Sequence, residues 1–348
     1  MSEPETISQE EALRKLAVVT ADYVPEAVWT VGGAFRYDRS LTAMANFFAT
    51  SLGVRRIDTV AGVPPCLWNL DYFVQRRPVP LDMYCNMLET YAQLGIGVTL
   101  VFDNPCLTTE QLQDTYGALL VQQLYERDRI RKNSVCVASD ALAAKIREMY
   151  PKMKVSCHYN RLIAETQRRS AALYNRLAEQ YTRVTLHPAD AGKPSLWKDI
   201  EHPERFDIVL NDPTPRNHPL RRELLQLLAA MRVSPYDAEL MRRRAELHNK
   251  VGETRHLAET LQRKDTCNLS RAETQALYDA GFRSFIIQQQ HFRNEMTLLW
   301  DLFQCMLSYS PEQINKHALI ASSAMAEFGR PKETLPSGLR QFAFSQSE

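Results

Sequence analysis

The chain has 348 residues, of which 45% are hydrophobic and 24% charged, so it has enough apolar material for a large buried core. Its 42 basic and 41 acidic side chains give a formal net charge of +1, so no overall charge draws it onto nucleic acid or a membrane surface. No apolar run reaches the length of a membrane span, and the acidic, polar N-terminus lacks the apolar core of a signal peptide. We therefore expect a cytoplasmic protein with no membrane association.

In chain order, the sequence repeats a short run of strand-forming residues, a polar turn and a helical pattern. This alternation predicts a parallel sheet, because parallel strands need crossover connections. Eight runs fit a single α/β barrel of the TIM type, with an open doubly wound sheet as the alternative. No glycine-rich dinucleotide or phosphate loop follows a run, which weakens that alternative. The predicted strands are Ala27–Val31, Arg56–Val60, Val98–Phe102, Ser134–Ala138, Lys154–Cys157, Arg183–Leu186, Phe206–Leu210 and Ser284–Gln288.

The longest gap between these runs lies between the seventh and the eighth. Within it, the stretch from Pro235 to Thr260 is charged and has helical periodicity. We predict a helical insertion at about 232–270 in a barrel that spans residues 1–330. The proline- and glycine-containing stretch 331–348 is expected to be a flexible or partner-docked tail.

Seven cysteines are scattered along the chain, and several lie within the apolar strand-like runs. This usage is typical of reduced, buried thiols in a cytosolic protein. No Cys-x-x-Cys pair occurs in the sequence, so neither a zinc ribbon nor a dithiol redox motif is indicated.

Polar side chains collect where the predicted strands end, which in a barrel of this type is the C-terminal mouth that carries the chemistry. Turn chemistry is the competing interpretation, because Asn, Asp and Pro also end strands and cap helices. The two histidines favour a ligand site, because histidine is not a preferred cap. The candidate catalytic residues are Asp103, Asp140, His158 and His187, and the candidate substrate-binding residues are Asn160, Asn211, Asp212, Arg216, Arg221, Gln288 and Gln290.

These residue types suit two kinds of chemistry. Asp103 or Asp140 beside His158 would suit proton transfer, because burial moves both kinds of pKa toward neutrality. Two histidines with one or two aspartates could instead ligate a divalent metal, although no local His-x-His or His-Glu-x-x-His spacing supports this. Arg216 and Arg221 could hold a phosphate or a carboxylate.

Five segments resemble one known family: Ser134-Val-Cys-Val-Ala-Ser-Asp140, Lys154-Val-Ser-Cys-His158, Arg183-Val-Thr-Leu-His187, Arg263-Lys-Asp-Thr-Cys-Asn-Leu269 and Ala280-Gly-Phe-Arg-Ser-Phe-Ile-Ile-Gln288. In order and spacing they are similar to the collagenase-like peptidase family, which includes the oxygen-independent hydroxylases of ubiquinone synthesis and of RNA. The resemblance covers roughly half the chain and implies a barrel fold.

The same resemblance argues against two of the family's activities. Hydroxylase members carry a cysteine quartet for an iron-sulfur cluster, much of it after the seventh strand, whereas residues 211–221 here contain no cysteine. Cys267 is the only cysteine in the most similar segment, and one thiolate cannot hold a cluster. A cluster-dependent hydroxylase is therefore not expected. A protease is not expected either, because no proteolytic residues carry over.

Two functions remain open. The first is an enzyme that acts on a small polar or phosphorylated substrate at the mouth by acid-base or metal-assisted chemistry. The alternative is a catalytically inactive barrel that binds a protein or RNA partner as an assembly module, through the helical insertion and the tail. An enzyme predicts His158, His187 and Asp140 converging around an open cavity, whereas a binding module predicts a cavity plugged by side chains.

Overall fold

The computed structural model describes residues 23–51, 57–70, 79–164, 169–215, 220–251 and 266–288, and also 298, 301, 302, 305 and 306. The chain divides into two compact units. The first consists of Ala27–Arg36 and Asp58–Arg293, and the second holds the described residues of Met1–Glu26, Tyr37–Ile57 and Asn294–Glu348.

Eight parallel strands of the first unit close into a barrel, which confirms the predicted fold. Each predicted run overlaps one strand, and the largest shift is at the second, which begins at Thr59. Two further strands form a separate antiparallel pair. In chain order the strands are β1 Val28–Gly32, β2 Thr59–Gly62, β3 Gly97–Phe102, β4 Ser134–Val137, β5 Lys154–Cys157, β6 Val184–Thr185, β7 Phe206–Val209, β8 Asn211–Pro215, β9 Thr266–Asn268 and β10 Ser284–Ile287, of which β8 and β9 form the antiparallel pair.

Helices follow the barrel strands, as a parallel sheet requires. In the helix Asp140–Met149, Leu142 and Ile146 form part of the buried face, and the Ser139 hydroxyl caps the first turn by accepting from the Leu142 amide. The described helices are α1 Asp38–Ser51, α2 Leu81–Gln93, α3 Thr115–Glu126, α4 Asp140–Met149, α5 Asn160–Ala164, α6 Ala171–Gln180, α7 Pro188–Ala191, α8 Pro194–Trp197, α9 Arg221–Val233, α10 Ala238–Val251 and α11 Arg271–Asp279.

Side chains alternate in character along every barrel strand. One set is large, apolar and buried: Trp29, Val31, Val60, Val98, Leu100, Phe102, Val135, Val137, Val155, Val184, Phe206, Ile208, Phe285 and Ile287. The other set is smaller and mostly polar, and it faces the barrel axis: Thr30, Thr59, Ala61, Thr99, Val101, Ser134, Cys136, Ser156, Thr185, Asp207, Val209, Ser284 and Ile286. The apolar core of this unit therefore lies on the outer face of the sheet, where helices such as α2, α4 and α6 pack.

The helical insertion between the seventh and eighth barrel strands is confirmed. Helices α9 and α10 share an apolar core, to which Leu228 and Leu247 contribute, and Leu70 from the loop after β2 joins it. Before these helices, β8 follows β7 directly and pairs with β9. Residues 252–265, within the predicted insertion, lie outside the described residues.

In the second unit, α1 buries Leu41, Met44 and Phe48 on one face. Leu298, Leu302 and Met306 are also buried. The predicted tail at 331–348 lies outside the described residues. None of the helices in the described part of the chain combines the length and the apolar character needed to cross a membrane.

Gly62, at the end of β2, should not tolerate a side chain. A Cβ at this position would lie 2.1 Å from Cε2 of Phe35. That ring is buried and packs edge-on against Tyr84, with ring centroids 5.3 Å apart, so it has little room to move. We expect Gly62→Ala to lower the free energy of unfolding by about 1–3 kcal/mol, measured by urea denaturation. The loss should shrink in a Phe35→Leu background, and an equal loss there would contradict this explanation.

Candidate functional site

The axis of the barrel holds a cavity of about 380 Å³. Interiors of such barrels are normally filled by branched Val, Ile and Leu side chains. Here the inward positions carry mostly small residues, so the centre stays open, at a volume that suits a small ligand. At the C-terminal mouth the cavity is lined by Gly32, Gly33, Val63, Asp103, His158, Tyr159 and Gln288, and at the opposite end by Val28, Asp58, Lys132, Lys154, Thr182 and Arg183.

Asp103 lies at the mouth, directly after β3, and its side chain is buried. Its Oδ1 accepts a hydrogen bond from the Leu70 amide at 2.7 Å, and its own amide donates to Oδ1 of Asn69 at 2.9 Å. The second carboxyl oxygen, Oδ2, is buried and has no hydrogen-bond partner among the described residues. An oxygen of this kind can accept a hydrogen bond from a ligand.

Burial raises the pKa of Asp103 to about 7, although the Leu70 amide and the charge of Arg232 act in the opposite direction. The protonated and ionised forms are therefore both populated near neutral pH. A general acid or base works best when its pKa lies near the operating pH. Asp103 meets this condition within a cavity of ligand size.

His158 follows β5 and lines the same mouth. Its Nδ1 accepts from the Asn160 amide at 3.2 Å, so the neutral ring carries its proton on Nε2. The imidazole stacks on Tyr159, with ring centroids 4.3 Å apart. These contacts fix both the tautomer and the plane of the ring.

Asn160 connects the two residues of the mouth. Besides its amide contact with His158, its side-chain Nδ2 donates to the backbone oxygen of Asp103 at 2.9 Å. The sequence predicted that Asn160 contacts substrate. The structure gives this buried side chain a positioning contact and does not place it in the cavity wall.

Asp140 lies in the first turn of α4 and is not part of the cavity wall. Arg161 donates to both of its carboxyl oxygens, at 2.7 and 2.8 Å, and the Tyr181 hydroxyl also donates to it. The hydrogen bonds from Arg161 lower the pKa of Asp140. Its side chain is 59% exposed. A carboxylate is favoured in the first turn of a helix by the helix dipole. The placement of Asp140 therefore fits the competing interpretation, that strand-end aspartates serve the turn and the following helix.

His187 caps the short helix α7, where its Nδ1 accepts from the Ala189 amide at 3.1 Å. Its own amide donates to the Tyr174 hydroxyl at 3.1 Å. That hydroxyl donates to Asp190, which also receives hydrogen bonds from Arg169 and Lys193. His187 is buried in this network and does not line the cavity. The predicted convergence of His187 and Asp140 with His158 on one cavity is therefore not found.

The remaining predicted residues have different placements. The Asn211 side chain exchanges two hydrogen bonds of 2.9 Å with the backbone of Gln288, and so joins the ends of β7 and β10. Gln288 itself lines the mouth. Asp212 is buried in the β8–β9 pair. Arg216 and Gln290 lie outside the described residues, and Arg221 begins α9 but its side chain is not described.

Metal ligands were a second expectation for this site. Within the ranges that the structure describes, no three or more His, Cys, Asp or Glu side chains are grouped to hold a metal ion. All seven cysteines are described and none forms a disulfide, and Cys136 alone among them lines the cavity. A divalent metal therefore stays a prediction without a described ligand set.

Sequence reasoning missed the axial wall and the charged residues at its far end. There, Arg183 pairs with Asp207 at 2.6 Å. A signal was present, because Trp29-Thr30-Val31 and Val98-Thr99-Leu100 alternate large apolar and small polar residues with the period of a strand that has two different faces.

Comparisons with known proteins add a structural similarity. No protein-family model matches the chain, and no curated protein does. A solved structure of a U32 peptidase aligns over 76% of this chain and 92% of that one, with 12% sequence identity and a TM-score of 0.46. The barrel that the sequence resemblance implied is present in the closed sheet itself. Placement in that family stays a prediction.

Proposed function

We propose that this protein is an enzyme that uses Asp103 as a general acid or base on a small polar substrate bound at the C-terminal mouth of the barrel. One observation carries the proposal: a buried carboxyl group lines a ligand-sized cavity and keeps one oxygen, Oδ2, without a partner among the described residues. Leaving a buried polar atom unsatisfied costs about 1–3 kcal/mol, and such atoms in folded proteins often have a functional reason.

The chain's own groups divide the work in this proposal. Ionised Asp103 would take a proton from a substrate O–H or N–H group at Oδ2, and protonated Asp103 would return one. His158, with Nδ1 held by the Asn160 amide, would donate from Nε2 to a substrate oxygen. Asn160 would hold the two at a fixed separation, and Gln288 would orient the substrate from the other side of the mouth.

The open cavity also favours an enzyme over an assembly module, because a barrel that only docks partners has no need to keep its axis empty. The side chains of the predicted anion-binding residues Arg216 and Arg221 are not described, and a phosphorylated substrate stays a prediction from the sequence. Docking of a protein or RNA partner on the insertion, and a cytoplasmic location, remain predictions from the sequence.

The test is depletion of compounds from a mixture of small polar metabolites, followed by mass spectrometry. We expect wild-type protein to consume a defined compound and Asp103→Asn to do so at least about 100-fold more slowly, the usual range for loss of a general acid or base. Asp279→Asn, the same change at an exposed position of α11, should keep the wild-type rate. Equal depletion by wild type and Asp103→Asn would remove Asp103 from the reaction.

A further inference from the structure

We propose that the barrel axis is itself a ligand site, and that it binds a small amphipathic molecule. Its head, an amine or a hydroxyl, donates a hydrogen bond to Asp103, and its slender, unbranched aliphatic tail extends between the strands. The inference deepens the proposed function by naming a substrate class. The head position rests on that proposal, whereas the tail site rests on the cavity alone.

The first support is the continuity of the space. One cavity is lined by residues of the mouth and by residues near the opposite end of the strands. Strand register places its inward side chains side by side: Thr99 pairs with Ser134, and Cys136 with Ser156. Because lining residues come from both ends of the strands, the cavity extends along the axis, and a compact ligand held only at the mouth would leave part of it unfilled.

The second support is the chemistry of the wall. The hydroxyls of Thr99 and Ser134 lie 2.8 Å apart and hydrogen-bond each other, so their polar groups are engaged within the wall. Val101, Val209 and Ile286 add aliphatic surface among inward hydroxyl side chains such as Thr30 and Ser284. Because so many inward residues are small, the barrel interior lacks the van der Waals contacts that larger side chains would make. An aliphatic tail would restore those contacts.

The third support is the polarity of the mouth. Oδ2 of Asp103 lacks a donor among the described residues, and an amine or a hydroxyl would supply one. A carboxylate head would instead place a second negative charge beside the ionised form of Asp103, and like charges at short range disfavour each other. The head is therefore expected to donate a hydrogen bond and not to be an anion.

The far end of the cavity sets a limit on the tail. Arg183 is paired with Asp207 there, and the ammonium groups of Lys132 and Lys154 donate to the backbone oxygens of Gly95 and Arg131. Charged groups of this kind do not suit an aliphatic chain end. The tail should end before it reaches them, which favours short chains.

The test is a methyl NMR titration of the full chain with hexylamine, 1-hexanol and hexanoate. We expect hexylamine or hexanol to give saturable shifts of the Ile286 and Val101 methyls and to leave Ile208, on the outer face of β7, unshifted. Asp103→Asn should weaken hexylamine binding by about tenfold or more, the loss expected for one charge-assisted hydrogen bond. Ser134→Leu should weaken binding of both probes at least about tenfold by filling the axis, and Ala61→Val, a smaller change, tests the same point if Ser134→Leu does not fold.

Three results would overturn the inference: no saturable shift with amine or alcohol, hexanoate binding as tightly as hexylamine, or binding unchanged by both filling variants. The proposed function fails separately. Depletion that depends on Asp103, without axial binding of the probes, would leave the function standing and overturn the axial site. Axial binding of the probes without such depletion would leave the axial site standing and overturn the proposed function.

Discussion

The difference in free energy of unfolding between Asp103→Asn and wild type should grow by about 4 kcal/mol, in favour of the variant, as the pH rises from 4 to 8. Burial raises the pKa of Asp103 from the ordinary value of 3.8 to about 7. Between these two values the folded protein keeps a proton that the unfolded chain releases. Wild-type stability therefore falls as the pH rises through this window, and asparagine, which does not titrate, removes the loss.

The measurement is urea unfolding of both proteins at a series of pH values. Asparagine keeps an oxygen that can accept from the Leu70 amide, and any packing penalty of its new amide group does not vary with pH. The change in the stability difference with pH is thus the quantity that reports on Asp103. Asp279→Asn, the same change at an exposed position of α11, is the control for the substitution itself. Parallel curves for wild type and Asp103→Asn would show that the Asp103 carboxyl group has an ordinary pKa.

Replacing Asp190 by asparagine should lower the free energy of unfolding at pH 7 by about 3 kcal/mol, the lower end of the range for breaking a buried ion pair. Asp190 is buried and receives hydrogen bonds from Arg169 at 2.6 Å, Lys193 at 2.7 Å and Tyr174 at 2.8 Å. The lower end applies because Arg169 and Lys193 are partly exposed and can regain water when the pairing is lost.

The matched control for Asp190→Asn is the same change at Asp140, whose side chain is 59% exposed and paired with Arg161. We expect a smaller loss there, because the Asp140 carboxylate is in contact with water, although its partner Arg161 is mostly buried. Although burial disfavours its charge, hydrogen bonds from Arg169, Lys193 and Tyr174 lower the pKa of Asp190. Its contribution is therefore present above pH 3.8 and should disappear as the pH falls through the folded pKa. Equal losses at the two sites would contradict the buried network.

This second prediction also bears on His187. The Tyr174 hydroxyl accepts from the backbone amide of His187 and donates to Asp190, so the network that Asp190 holds together fixes the backbone from which the His187 imidazole projects. If Asp190→Asn lowers stability while metabolite depletion per folded molecule is kept, His187 acts through the fold and not at the reaction centre. A matching loss of depletion rate would return His187 to the list of functional residues.

The sequence by itself determined the eight strands, the closed barrel and the presence of a helical insertion. These follow from local periodicity, because a buried strand and an amphipathic helix each leave a pattern within a few residues of one another. The same reading located the mouth, since polar residues such as Asp103 and His158 directly follow apolar runs. It failed for β8, because Thr214 is the one strand-forming residue in Asn211-Asp-Pro-Thr-Pro215 and the extended shape of the segment comes with its pairing to β9.

Only the tertiary structure decided which strand-end residues line the cavity. The sequence does not distinguish Asp103, Asp140, His158 and His187. In the structure, the Asp103 carboxylate accepts from the Leu70 amide and lines the cavity, whereas the Asp140 carboxylate accepts from Arg161 and Tyr181. Those partners come from distant segments, and they fix burial, charge and access together. The open axis has the same origin, because each strand contributes only a few inward side chains and the space between them exists only after all eight strands close.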